Sequence, residues 1–238
     1  MPQFFTKRLT SHNFPLFRGK RVTPSPEGLK TLLAYYGVDL QQETLEKLWA
    51  YHSLLRENNG DQDLTRLNAF ETIVERHYAD CILINAYVPK WPLRMVDIGS
   101  GAGFPGIPLK LVNPQIKLTL CEPRPNRIEF LNMVIEKLDL KGIEVFGHKV
   151  TSRSLTFPVT GAISRAFEIM EKTLPRLEKA LIPGGRVYFM KGPAVKEELA
   201  TLHPEDFGYT LIEKHFYRIP KSTQDRALIV LERNKGIL

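Results

Sequence analysis

The 238-residue chain is short of several things, and each shortage closes off a class of function. No apolar run approaches the roughly 20 residues that a helix needs to cross a bilayer, so a membrane-spanning role is not expected. Met1 to Arg21 carries Phe4, Phe5, Phe14 and Phe17 among basic residues. It lacks the continuous apolar core and small-residue cleavage site of a secretory signal, and a cytoplasmic location is the expectation. Only two cysteines are present, Cys81 and Cys121, at a separation that fits no metal spacing and calls for no disulfide. The six histidines are scattered, so no metal site is expected. Internal repeats and low-complexity tracts are also missing.

What remains is an ordinary globular balance, with 43% apolar and 25% charged residues. The length suits one large domain, or one domain with a small appendage. Lysine and arginine total 33 against 26 acidic residues, a net charge of +7. Such a field favours encounters with polyanions and phosphate contacts without choosing among partners.

Along the chain, residues 1–24 read as a basic arm in which Arg18, Lys20 and Arg21 either grip RNA or form a tail. Residues 25–90 read as a helical segment. Ser25 is a candidate N-cap with Pro26 at the first helical position, and the helix ends near Gly37. A second helix spans about Glu43 to Asn58, with Leu45, Leu48, Trp49, His52 and Leu55 on one face, broken by Asn59-Gly60-Asp61. Asn68 and Glu71 have the spacing of a capping box opening a third helix. Residues 91–238 alternate short apolar runs with amphipathic segments, the pattern of a parallel sheet wound on both faces. Strands are expected at Arg94–Ile98, Lys117–Cys121, Gly142–Phe146, Ala162–Ser164 and Arg186–Met190. The last two runs, Tyr209–Arg218 and Arg226–Glu232, are close enough for an antiparallel edge hairpin.

The sharpest local signal is the glycine-rich turn after the first strand, Asp97-Ile98-Gly99-Ser100-Gly101-Ala102-Gly103-Phe104-Pro105-Gly106. Glycine serves where φ is positive or where a cofactor meets bare backbone. The spacing also satisfies the dinucleotide fingerprint, so the glycines alone are ambiguous. Two acids separate the readings. Asp97 ends the strand, where a carboxylate opposes a pyrophosphate but suits the cationic amino-acid end of S-adenosylmethionine. Glu122 ends the next strand, positioned for ribose hydroxyls. Together they favour a methyltransferase over a nicotinamide enzyme.

The stretch Asp97–Leu109 closely resembles the glucose-inhibited division protein B family of 16S ribosomal RNA guanine-N7 methyltransferases. Asp63-Leu64-Thr65, Arg76-His77 with Asp80, Arg127 with Phe130-Leu131, Ser164-Arg165-Ala166 and Lys191-Gly192 extend the resemblance over about residues 43–232. It implies a Rossmann-like class I S-adenosylmethionine-dependent fold, a mostly parallel seven-stranded α/β sheet behind an N-terminal helical segment. It also implies cofactor contacts at Gly99, Phe104, Val150, Thr151 and Arg165, beside Asp97, Gly101, Gly103 and Glu122. The implied partner is 16S ribosomal RNA or the 30S subunit, and a monomer is the default expectation. Departures fall at Asp63, where the family has Asn, Cys81, where it has Ser, and Thr151, where an acid is common; Glu122-Pro123 replaces Asp-Ser.

Guanine N7 carries an available lone pair, so its methylation needs no base and rests on positioning and electrostatics. The Asn/Asp-Pro-Pro-aromatic motif of exocyclic-amine enzymes is replaced here by Ser164-Arg165-Ala166-Phe167. Arg165 and His77 are the candidate catalytic residues. Arg165 contacts the cofactor carboxylate or the target nucleotide, against a surface salt bridge. His77 stacks on or hydrogen-bonds to a base, against a helix histidine satisfied by Asp80 or Asp63. Arg76 and Lys191 are candidate RNA contacts, against plain solvated charge. Two alternatives stay open: a related methyltransferase with another RNA, protein or small-molecule acceptor, and a non-catalytic RNA-binding relative.

Overall fold

A computed structural model describes residues 21–235; the arm expected over residues 1–24 lies almost wholly outside the described residues. Ser25 is extended and its Oγ accepts from the Gly28 amide at 2.9 Å, starting α1 (Pro26–Tyr35) where serine and proline predict. α2 (Gln42–Gln62) buries Leu45, Leu48, Tyr51, His52 and Leu55 along one stripe. It runs through Asn59-Gly60-Asp61, where the sequence predicts a break, and stops at Asp63, whose φ of 47° is left-handed. One glycine in an exposed helix costs only about 1 kcal/mol. Asn59 Oδ1 accepts from the Thr65 amide at 2.7 Å, so this side chain serves the loop beyond the helix.

Residues 70–86 form one helical run: α3 (Phe70–Ile73), a π-helical turn at Val74–Ala79, α4 (Asp80–Leu83) and a 3₁₀ turn at Ile84–Ala86. The predicted Asn68–Glu71 capping box does not form. Ala69 is the N-cap, without a side-chain hydrogen bond, and Glu71 Oε1 accepts from the Val22 amide at 2.9 Å. Glu71 is drawn off by the incoming chain, which supplies a donor of its own.

The seven strands are β1 (Arg94–Ile98), β2 (Lys117–Cys121), β3 (Ile143–Phe146), β4 (Val159–Arg165), β5 (Leu181–Lys191), β6 (Tyr209–Arg218) and β7 (Asp225–Arg233). Their order is β3-β2-β1-β4-β5-β7-β6. β1 to β5 pair in parallel, while β7 is antiparallel to both β5 and β6, as the short C-terminal connection requires. Between the strands lie α5 (Gly106–Val112), α6 (Pro125–Lys137), α7 (Met170–Thr173) and α8 (Val195–Thr201).

Alternation along β1 sends Val96 and Ile98 to one core and Met95 to the other. The second core also holds Leu29, Leu48, Tyr51 and Ile73, so the N-terminal helices pack onto the Met95 face of the sheet. Asp97 shares that face by period, and it is fully buried. The chain reverses direction across the sheet at β1, whose neighbours are β2 and β4. Ligands of open α/β sheets bind outside the carboxyl ends at such a switch point. No helix among the described residues is long and apolar enough to cross a membrane.

Candidate active site

Gly99, Gly101 and Gly103 have φ of 71°, 58° and 104°, which glycine adopts without strain. The Gly99 and Ser100 amides donate to the Cys121 carbonyl at 3.0 and 3.1 Å, pinning the turn to the end of β2. Glu122, the next residue, accepts from the Gly101 amide through Oε2 and from the Arg124 amide through Oε1, both at 3.0 Å. A carboxylate has about four lone-pair sites, so these bonds leave capacity for more donors. Arg127 Nη1 lies 3.8 Å from Glu122, and its Nη2 donates to the Asp63 carbonyl at 3.2 Å.

Asp97 Oδ2 accepts from the Gly106 amide at 2.9 Å. A Cβ on Gly106 would stand 2.6 Å from that oxygen, which is why glycine opens α5. Among the described residues Asp97 Oδ1 is buried without a partner, as is Ser100 Oγ. Burial pushes the Asp97 carboxyl up to about 7, with the Gly106 bond and the Arg165 charge pulling the other way.

At the end of β4, Arg165 reaches into the π-helical turn. Its Nη1 donates to the Arg76 carbonyl at 2.7 Å and to Asp80 Oδ2 at 3.4 Å, and its Nη2 lies 3.0 Å from His77 Nδ1. A guanidinium only donates, so Nδ1 accepts and the ring proton sits on Nε2. Nε2 then donates to Thr65 Oγ1 at 2.9 Å. Burial, followed by the Arg165 charge, pushes the His77 imidazole down to about 3, so the ring is neutral. It stacks on Phe104 at 4.2 Å. Asp80 in turn accepts from Tyr217 Oη at 3.1 Å and lies 3.5 Å from Arg226 Nε. The partners of His77 are Thr65 and Arg165 rather than Asp80 or Asp63.

Beyond Arg165 the chain turns through Ala166, whose φ is 51°. Phe167 lands with its ring against the backbone of Gly99: a Cβ there would stand 2.3 Å from Phe167 Cδ2. Arg176 lies 5.8 Å above this ring, pairs with Glu168 and donates to the Val150 carbonyl at 2.8 Å. Val150 is therefore tied to the loop after β4. Thr151 lies outward in a turn, its amide donating to Ser154 Oγ at 2.8 Å. Lys191 Nζ donates to the Glu168 carbonyl at 3.0 Å and to Glu198 at 2.9 Å.

A groove of about 740 Å³ runs past these residues, lined by Thr65, Arg76, His77, Arg165, Phe167, Lys191 and Arg226 among others. Another cavity, of about 460 Å³, lies at the opposite end of the strands beside Arg94, Lys117 and Glu144, and none of the expected site residues lines it. The structure thus brings Arg165, His77, Arg76 and Phe104 into one cluster, and Asp97, Gly99, Gly101 and Glu122 into an adjoining one. Sequence reasoning missed Thr65, Tyr217, Arg226 and Arg176 as parts of the assembly. Tyr217 and Arg226 lie in the hairpin, far along the chain from Asp80, and carry no local signal. The Asp63 departure has a simple reading: the position is a left-handed helix cap, which Asn and Asp both tolerate. Cys81 is packed in the core and its thiol is pushed up to about 12 by burial.

This strand order, with a glycine turn after β1 and an acid after β2, is that of a class I methyltransferase fold. A precorrin-6y C5,15-methyltransferase from Geobacter metallireducens superposes with a TM-score of 0.51 at 16% identity, covering 65% of this chain and 87% of that one. A ribosomal protein L11 methylase from Lactobacillus delbrueckii gives 0.50 at 13% identity, covering 67% and 79%. At such identities the likeness concerns the fold. The family is fixed by sequence: residues 44–228 match the GidB model, described as rRNA small subunit methyltransferase G, and the chain belongs to that family. A ribosomal RNA small subunit methyltransferase G from Lachnoclostridium phytofermentans is 34% identical over 220 residues, 88% of each chain. A methyltransferase G 2 from Syntrophobacter fumaroxidans is 36% identical over 91% of this chain, which spans only 43% of that longer protein.

Proposed function

We propose that the chain transfers a methyl group from S-adenosylmethionine to N7 of a guanine in the decoding-region loop of 16S ribosomal RNA. The substrate would be the RNA itself or the 30S subunit, met in the cytoplasm. The observation that carries the reading is the glycine turn flanked by two buried carboxylates, one with an unpartnered oxygen. Asp97 Oδ1 and Ser100 Oγ are buried polar atoms in want of a donor or acceptor, which the ammonium and carboxylate of a bound amino acid supply. Glu122 has lone pairs left for two ribose hydroxyls. When bound, S-adenosylmethionine supplies a methyl group on a good sulfonium leaving group.

The chain's own residues have the remaining tasks of binding and orientation. Arg165 is held rigid by Arg76, His77 and Asp80 at the mouth of the groove. Neither nitrogen of His77 is free for proton transfer, and N7 asks for none because its lone pair is already available. His77 is thus a positioning residue for Arg165, and Arg76 lines the groove as a candidate phosphate contact, whereas the charge of Lys191 is taken up by Glu198. The base must be unstacked to reach the methyl group. The test maps N7-methylguanine by borohydride–aniline cleavage in small-subunit RNA from cells with and without this gene. One cleavage site should vanish with the gene and return with the wild type but not with Asp97→Ala. An unchanged pattern would move the acceptor elsewhere.

A further inference from the structure

Phe167 stands where the two halves of the site meet. Its ring lies on the backbone of Gly99, the first glycine of the turn, so closely that any side chain there would collide with it. Yet the residue is 37% exposed and lines the groove, one of five large apolar side chains exposed to this degree among the described residues. On one side Arg165 is fixed by three partners, and on the other Arg176 holds Glu168 and the Val150 carbonyl. The two-residue span between these anchors, Ala166-Phe167, contains the left-handed Ala166. The Arg176 guanidinium lies over the ring, 5.8 Å from its centroid.

A ligand that packs on bare backbone at Gly99 needs the space this ring fills. The ring's other available place is the groove, where a flat aromatic face meets the flat face of an unstacked purine. We propose that Phe167 couples the two sites: its ring and the cofactor compete for Gly99, and the displaced ring stacks on the target guanine. The proposal rests on the cofactor and substrate reading above. Binding is then ordered in effect. Cofactor first clears Gly99, the ring then completes the base platform, and RNA affinity rises as a result; by linkage, RNA raises cofactor affinity equally.

The test is a set of titrations that do not depend on turnover. Calorimetry gives S-adenosylmethionine affinity for wild type, Phe167→Ala and Phe167→Trp, without and with unmodified 30S subunits from cells lacking the gene. Wild type should show about tenfold mutual tightening, the size of one base–aromatic stack. Phe167→Ala should bind S-adenosylmethionine several-fold more tightly alone and lose the tightening, while Phe167→Trp keeps it. If Phe167→Ala binds the cofactor more weakly, or the tightening survives in it, the coupling is refuted and the methyltransferase reading stands. If wild type binds no S-adenosylmethionine, the cofactor reading falls and this proposal with it. Thermal melting of each variant separates these outcomes from loss of fold, and the near-isosteric Phe167→Leu repeats the test should Phe167→Ala be unstable.

Discussion

Replacing Asp80 by alanine should unfold the protein more readily than any other single change around the groove. The carboxylate is 4% exposed and serves three groups: Arg165 at 3.4 Å, Arg226 at 3.5 Å and Tyr217 Oη at 3.1 Å. Both arginine side chains are themselves largely out of water, at 16% and 12% exposure. Breaking a buried pair costs about 3–5 kcal/mol, because the stranded charge is no longer compensated. Here two cations are stranded, but Arg165 keeps the Arg76 carbonyl and His77, which holds the expected loss to about 4 kcal/mol. With a urea dependence of about 3 kcal/mol/M for a chain of this size, the midpoint should fall by about 1.3 M. Asp80→Asn keeps the shape and one oxygen and should lose about half as much. The exposed Arg218–Asp225 pair is the internal reference, and Asp225→Ala should cost under about 1 kcal/mol. Equilibrium urea unfolding followed by circular dichroism reads all three. A midpoint shift for Asp80→Ala no larger than that for Asp225→Ala would refute the buried network.

Asp97 gives a pH signature. Its folded value of about 7 lies above the usual 3.8, so the folded state binds the extra proton and stability falls as pH rises between them. That interval corresponds to on the order of 4 kcal/mol, which Asp97→Asn should recover at pH 8 while abolishing cofactor binding. His77 and His52, pushed down to about 3 and about 4, contribute the opposite slope below 6.5. Between about pH 4 and 6.5 the two histidines outweigh the one carboxyl, so wild-type stability should climb with the slope of about one proton and that of Asp97→Asn with about two; parallel curves would disprove the assignment. Arg76→Gln should weaken 30S binding and lower the salt slope by about one, if its side chain meets phosphate in the groove. Gly106→Ala should cost at least about 2 kcal/mol in a melting experiment, since the added Cβ stands 2.4 Å from Leu120 Cδ2 and 2.6 Å from Asp97 Oδ2.

The two halves of the site differ in how far they could be read from the chain, for a physical reason. The cofactor half is built where strands end and the backbone itself does the binding. Positive φ demands glycine at 99, 101 and 103, and the two acids follow at distances set by strand and helix lengths. All of this falls between Asp97 and Arg127, and it leaves a pattern in one short stretch. The strands were equally legible, because alternation and short connections constrain them; β4 and β5 merely run longer than expected, to Val159–Arg165 and Leu181–Lys191.

The groove half is held together by groups from four separate places: Thr65, the helical run with the Arg76 carbonyl, His77 and Asp80, Arg165 of β4, and Tyr217 and Arg226 of the hairpin. Charge pairing asks only that an acid and a base meet in space, so no spacing along the chain records it. His77 shows the consequence. From sequence it could be a base-stacking residue or a satisfied helix histidine, and only the Arg165 guanidinium on Nδ1 settles its tautomer and charge. Asp80, three residues further on, was visible as a neighbour of His77, but its partners lie across the fold. In this largely buried network Arg165 Nε and Arg76 Nε lack a partner among the described residues, but the bonds to Arg76, His77, Asp80 and Tyr217 hold the rest in one arrangement. It fixes Arg165, and through Arg165 the start of the loop that lays Phe167 against Gly99. The residues hardest to find in the sequence are therefore those that set the geometry of the residues easiest to find.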